Sequence, residues 1–167
     1  MRVLAIDPAV RNTGYAVLEG EPRKPTVLAY DVIRIPAKLP QSAALSAIRT
    51  HLVSVIQKFQ PDEVAVEGII YVQSHQTAIS MGAARAAALI AAADHGLAIY
   101  EYAPRKVKMA VVGKGTAVKS QVAFMVRALL GLAETPPPDA ADALAIALAH
   151  LQASDPLRAR LLDRRLV

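Results

Sequence analysis

The chain has 167 residues, enough for one domain with a single core. It has no cysteine, which excludes disulfides, thiolate metal sites and a cysteine nucleophile. Its 19 Lys and Arg exceed its 14 Asp and Glu, and a net charge of +5 favours a polyanionic partner.

The first strand is expected over residues 1–7, a short, continuously apolar run of the kind buried on both faces of a sheet. This run is too short for a signal peptide and ends in an acid. The most apolar later stretch, residues 83–93, contains Arg85 and is too short to span a bilayer. The chain therefore reads as soluble and cytoplasmic. A turn, "DPAVRNTG", leads to a second strand over 13–19, and "GEPRKP" to a third over 26–35, an antiparallel meander. Residues 41–59 form an amphipathic helix with Leu45, Ile48, Leu52, Val55, Ile56 and Phe59 on one face. Another buried strand follows over 63–69. A long Ala-rich helix spans 76–95 and is stopped by Gly96. A fifth strand covers 97–103. A basic helical segment, 104–112, is broken by Gly113 and Gly115 and resumes over 116–132. Three prolines, Pro136 to Pro138, precede the final helix, 139–152. The division is a domain over 1–152 and a basic tail over 153–167, read as a fraying helix or disorder. This order defines an α/β protein with a mixed five-stranded sheet flanked by helices. Right-handed crossovers would put the fourth strand beside the first.

Two of the buried strands end in a carboxylate, Asp7 and Glu67. As parallel neighbours they would deliver both acids to one carboxyl edge, where open α/β sheets bind ligands. Asp139 and Asp142, spaced i, i+3, share one face at the head of a helix that is otherwise almost wholly Ala, Leu and Ile. Asp139 after prolines is also a good helix N-cap, and Asp7 before Pro8 an ordinary turn former. Asp142 has no cation on its own helix, and burying an unpaired carboxylate costs several kcal/mol, roughly. Four acids at the ends of apolar elements imply a cation. An all-oxygen set suits Mg²⁺ or Mn²⁺, and two such ions suit phosphodiester hydrolysis.

The basic stretches "PRKVK" and "GKGTAVKS" carry Arg105, Lys106, Lys108, Lys114 and Lys119, which read either as a solvated basic face or as a phosphate-contacting surface. The second is a near miss to a nucleotide P-loop, with Val118 where that motif needs glycine. Small residues at Gly82, Ala83, Ala86, Ala87 and Ala91 allow close helix packing, within a monomer or across a two-fold axis. His51, His75, His95 and His150 are scattered and read as structural or surface residues.

Taken together, "IDPAVRNTGYAV", "VAVEGII", "AARAAALIAAA", "YEYAPRKVKMAVVGKGTAVKSQV" and "DAADALAIALAH" resemble the RuvC family of Holliday-junction resolvases, over residues 2–151. The resemblance implies a ribonuclease-H-like fold, a homodimer, Mg²⁺ dependence with two ions per site, and paired incisions across four-way junction DNA. It implies that Asp7, Glu67, Asp139 and Asp142 are the catalytic, metal-binding acids and that Lys108 and Lys119 are functional lysines. A branch-migration helicase complex is a further candidate partner. Two positions depart from the family pattern. Ala9 stands where the first turn usually has glycine, and Ile70, followed by Tyr71, stands where the family commonly has a stacking Phe. The rival readings are another ribonuclease-H-like nuclease acting on RNA–DNA hybrids or branched DNA, an actin- or sugar-kinase-like nucleotide binder, and a catalytically dead junction-binding module.

Overall fold

The computed structural model describes residues 1–69, 74–155, 162 and 165–167. Strands β1 (Arg2–Asp7), β2 (Asn12–Glu21) and β3 (Lys24–Arg34) form the antiparallel meander. Helix α1 (Gln41–Phe59) then crosses to β4 (Glu63–Glu67), which lies parallel to β1. Helix α2 (His75–Ala93) leads to β5 (Ala98–Tyr102), parallel to β4. Three helices follow: α3 (Pro104–Val112), α4 (Lys119–Leu130) and α5 (Pro138–Ala153). The first five strands lie in the order β3-β2-β1-β4-β5.

The sheet has six strands rather than the five expected. The sixth, β6 (Arg165–Leu166), comes from the segment read as a tail and pairs antiparallel with β5. Two residues show no strand periodicity, so only the pairing partner reveals them. In the same segment Leu162 is 3% exposed and packs in the core. Among the described residues no helix is long and apolar enough to cross a membrane.

Alternation along the strands sorts the core into two layers. Leu4, Ile6, Val17, Val64, Val66 and Ile99 face α1 and α2. Val3, Ala5, Ala16, Leu18, Ala65 and Tyr102 face the α3–α5 side. Strands loaded on both faces explain the continuously apolar runs of β1 and β4. Helix α5 packs between the sheet and the α3–α4 pair, and from Ala140 to Ala153 every residue but Asp142 is buried. That double cover is why α5 is apolar all round. The buried α1 residues Ile48, Leu52, Val55 and Ile56 fall on its expected face.

Helix α4 begins at Lys119, three residues after the expected start. Ala117 is buried in a turn closed by its N–H on the Lys114 carbonyl, and Val118 is an extended N-cap whose N–H donates to Gln121 Oε1 (3.0 Å). The glycine loop therefore joins two helices, α3 and α4. A P-loop needs a strand before it.

Candidate active site

Every second residue of a strand shares a face, so Asp7 follows Val3 and Ala5, and Glu67 follows Ala65, onto the α5 side. The parallel register pairs Ile6 with Val66 and so carries Asp7 and Glu67 side by side to the carboxyl edge. Asp139 and Asp142 come from the first turns of α5 above them. Asp139 does not cap that helix. The N-cap is Pro137, Pro138 is the first helical residue, and no side chain closes the cap.

The helix head reaches the sheet because of Gly14. This residue pairs with Asp7 across β1 and β2, and a Cβ there would come within 2.0 Å of the Asp139 carbonyl oxygen. Only a glycine allows that approach. The β1–β2 turn is held by Thr13, fully buried, whose hydroxyl donates to the Ala9 carbonyl (2.6 Å) and accepts from the Ala9 N–H (3.2 Å). Among the described residues Gln60 is the only non-glycine at positive φ, so Ala9 sits in ordinary backbone and the missing glycine costs no strain.

The four acids are electrostatically one cluster. Asp7 is pushed up to about 7 by burial and by the Asp142 charge; Lys119 opposes the shift and Asp139 adds to it. Glu67 is also pushed up to about 7, by burial and then by Asp7 and Asp142, against Lys119 and Lys108. Lys119 Nζ donates to Asp142 Oδ2 at 2.9 Å, and this bond and charge raise the lysine's pKa while partial burial lowers it. A cleft of about 160 Å³ is lined by Glu67, Lys108, Lys119 and Asp142 together with Pro104, Val107, Val122 and Ala145. On the far side, Asp139 borders a wider cleft of about 490 Å³ with Ala9 to Asn12, Gln76, Thr77, Ser80 and Met81. Asp7, half-buried, is the last residue of β1.

The lysines divide. Lys108, from α3, and Lys119, the first residue of α4, reach the acids. Arg105 and Lys106 lie in the first turn of α3 and Lys114 in the loop, outside the lining of that cleft. Ile70 and Tyr71 lie outside the described residues. His150 is buried far down α5, with its ring between the Tyr102 hydroxyl (2.8 Å) and Glu63 (2.7 Å). Eight helical residues, about 12 Å, separate it from Asp142.

The donor set fits a hard divalent cation. It is all oxygen, it holds two carboxylates whose charge burial and mutual repulsion disfavour, and it already attracts an ammonium. Among the described residues no three such side chains are drawn in around one point.

Sequence reasoning did not single out Gly14, Thr13 or the pair Arg85–Glu101 beside Glu67. The glycine inside the strand pattern "NTGYAV" was the available signal for a close backbone approach.

The mixed sheet with acids at the carboxyl edge of β1 and β4, and a last helix supplying two more, defines a ribonuclease-H-like protein. A profile of the family described as Crossover junction endodeoxyribonuclease RuvC matches residues 3–150, and the chain belongs to that family. A crossover junction endodeoxyribonuclease RuvC of Akkermansia muciniphila is 61% identical over the full length of both chains. Another, of Magnetococcus marinus, is 46% identical over 151 residues, covering 90% of this chain and 84% of the relative. Among solved structures, T. thermophilus RuvC in complex with a Holliday junction substrate superposes with a TM-score of 0.89 at 34% identity, covering 100% of this chain and 99% of that one.

Proposed function

We propose that this chain is a metal-dependent endonuclease that resolves four-way DNA junctions by paired hydrolysis of phosphodiester bonds. The observation that carries it is the electrostatic coupling of Asp7 and Glu67 at the carboxyl edge of the sheet with Asp142 and Asp139 at the head of α5, with Lys119 bonded to Asp142. Membership of the RuvC family supports the substrate class.

In this reading the four carboxylates hold two Mg²⁺ ions, with Mn²⁺ as the chemical alternative. Bound there, the ions supply an activated water and charge compensation at the leaving oxygen. The chain's own groups do the rest. Asp7, Glu67, Asp139 and Asp142 would hold the ions, Asp7 and Glu67 from the strand ends and Asp139 and Asp142 from the head of α5. Lys119 leaves Asp142 for the scissile phosphate, where its point charge offsets the growing negative charge. Lys108 does the same from α3, beside Glu67. Arg105, Lys106 and Lys114 contact backbone phosphates and orient the duplex arms without reading sequence. Ile70 and Tyr71 serve as the wedge that opens the crossover.

A four-way junction is two-fold and needs two opposed nicks, so the working form is a symmetric dimer. The exposed face of α2 suits it. Ile79 and Ile90 are 71% and 49% exposed there, beside the small residues Gly82, Ala83 and Ala86. A branch-migration helicase complex is a partner for the same dimer.

The test is cleavage of a synthetic four-way junction, a matched linear duplex and an RNA–DNA hybrid, each with and without Mg²⁺. Symmetric nicks in the junction alone, dependent on Mg²⁺, are expected. Preferred cutting of the hybrid would replace this reading with a general ribonuclease-H-like activity.

A further inference from the structure

Glu67 is the last residue of β4, where the sheet ladder ends. Its carboxylate is repelled by Asp7 and Asp142. The β1 pairing of β4 stops at Val66, and Glu67 is paired only with Tyr102 of β5, so a strand end under such repulsion needs further restraint.

Two elements supply the restraint. Arg85, on α2, donates from Nη1 to the Glu67 main-chain carbonyl (2.9 Å) and pairs through Nη2 with the Glu101 carboxylate of β5. The Arg85 side chain is only 12% exposed and that of Glu101 26%, so the pair is screened less than a surface pair. The next residue, Gly68, is held as well. Its N–H donates to the Tyr102 carbonyl (2.9 Å), and a Cβ on it would come within 3.1 Å of Glu101 Cγ and Cδ. Glu101 therefore lies directly over the Gly68 backbone. The Glu67–Gly68 peptide is therefore pinned at both its polar groups, its carbonyl to α2 and its N–H to β5. A guanidinium can do this because its fork splits between two acceptors; a single ammonium lacks that geometry.

We propose that Arg85 is a positioning residue that holds Glu67 at the acidic edge, and that through it the placement of α2 sets the site's response to divalent metal. This rests on the reading of Glu67 as a metal ligand. Arg85 touches neither substrate nor ion. It acts through the main chain of the residue that does. Outer partners of metal ligands change metal affinity or activity by roughly 10–100-fold when removed, and Arg85 belongs in that range. Its helix also carries the small-residue face proposed for dimerisation, so a shift of α2 on dimer formation would be felt at Glu67 through this one side chain.

The experiment compares the full-length wild type with Arg85→Ala, Arg85→Lys and, as a control, Glu67→Gln. Four quantities are measured: Mn²⁺ binding by calorimetry without DNA, the Mg²⁺ midpoint of single-turnover junction cleavage, junction affinity in EDTA, and thermal melting. Both Arg85 variants are expected to bind Mn²⁺ roughly 10-fold or more weakly and to need correspondingly more Mg²⁺, with junction affinity unchanged. Glu67→Gln is expected to lose cleavage at any Mg²⁺ concentration. Arg85→Lys keeps a cation beside Glu101 and decides the matter if Arg85→Ala does not fold. A folded Arg85 variant with wild-type Mn²⁺ affinity and wild-type Mg²⁺ midpoint overturns the proposal. A Glu67→Gln variant that binds Mn²⁺ and cuts like the wild type instead overturns the reading of Glu67 on which it rests.

Discussion

Replacing Asp7 by Asn should make the metal-free protein more stable above neutral pH while abolishing its activity. The reason is the raised pKa of Asp7. Below about pH 4 the carboxyl is protonated in both the folded and the unfolded chain. Between its ordinary 3.8 and the folded value of about 7, the unfolded chain has ionised and the native one still holds its proton. The native state then binds more protons, so stability falls as pH rises through this window, and the loss is complete above it. The shift of about 3 units, from 3.8 to about 7, corresponds to a ceiling of about 4 kcal/mol. Burial is its largest cause, Asp142 and Asp139 add to it, and Lys119, which is largely exposed, offsets part of it. The gain measured on substitution should therefore be nearer 2 kcal/mol, since screening weakens the charge contributions. Asn keeps the shape and carries no charge, so the variant escapes the penalty. The assay is urea unfolding of both proteins in EDTA at pH 4, 6 and 8. The variant should lead at pH 8 by about 2 kcal/mol, or a melting rise of roughly 4–8 °C for a chain of this size, and the lead should vanish near pH 4. Saturating Mg²⁺ should narrow the gap, because a ligand that binds the native state stabilises it by mass action, ~2.7 kcal/mol at one hundred times its dissociation constant. A lead that is absent at pH 8, or equal at pH 4 and pH 8, would refute the assignment of Asp7 to a strained acidic cluster.

Glu67→Gln, Asp139→Asn and Asp142→Asn should each abolish cleavage while leaving junction affinity intact or tighter in EDTA; gel shifts and cleavage gels on the same preparations check both. Lys119→Ala should slow cleavage with little change in melting, because its one salt bridge is largely exposed and worth under ~1 kcal/mol; loss of folding would make Lys119 structural. Gly14→Ala forces a Cβ to 2.0 Å from the Asp139 carbonyl, so it should destabilise by ~3 kcal/mol or more and remove activity by lifting the head of α5, as read by urea unfolding and single-turnover rates. Tyr71→Ala should slow cleavage of an intact junction more than of one pre-nicked at its centre, and 2-aminopurine at the crossover should report less unstacking; equal slowing on both substrates would end the wedge assignment.

Much of the site was legible in the sequence because its parts are local signals. Apolar runs closed by Asp7 and Glu67 mark buried strands with acids at their ends, and Asp139 and Asp142 open a helix whose next seven residues are all apolar. The faces of α1 and the start of α3 at Pro104 follow from periodicity and proline geometry in the same way. What the tertiary structure decided were relations between segments distant in the chain. Only the parallel register of β1 on β4 puts Asp7 beside Glu67. Gly14 matters because α5, 125 residues further on, presses the Asp139 carbonyl against it. The reach of Lys119 to Asp142 depends on how α4 leans on α5. Arg85 looks, in sequence, like one charge on an alanine helix; it becomes a tie only when β4 and β5 bring the Glu67 carbonyl and Glu101 to it. The sixth strand shows the same thing at its smallest scale, since Arg165 and Leu166 are a strand only by virtue of Tyr100 and Glu101. Local pattern reports which face of an element is apolar and where the element stops. Which side chains meet is set by packing between elements, a free-energy balance over the whole core that no short stretch of sequence contains.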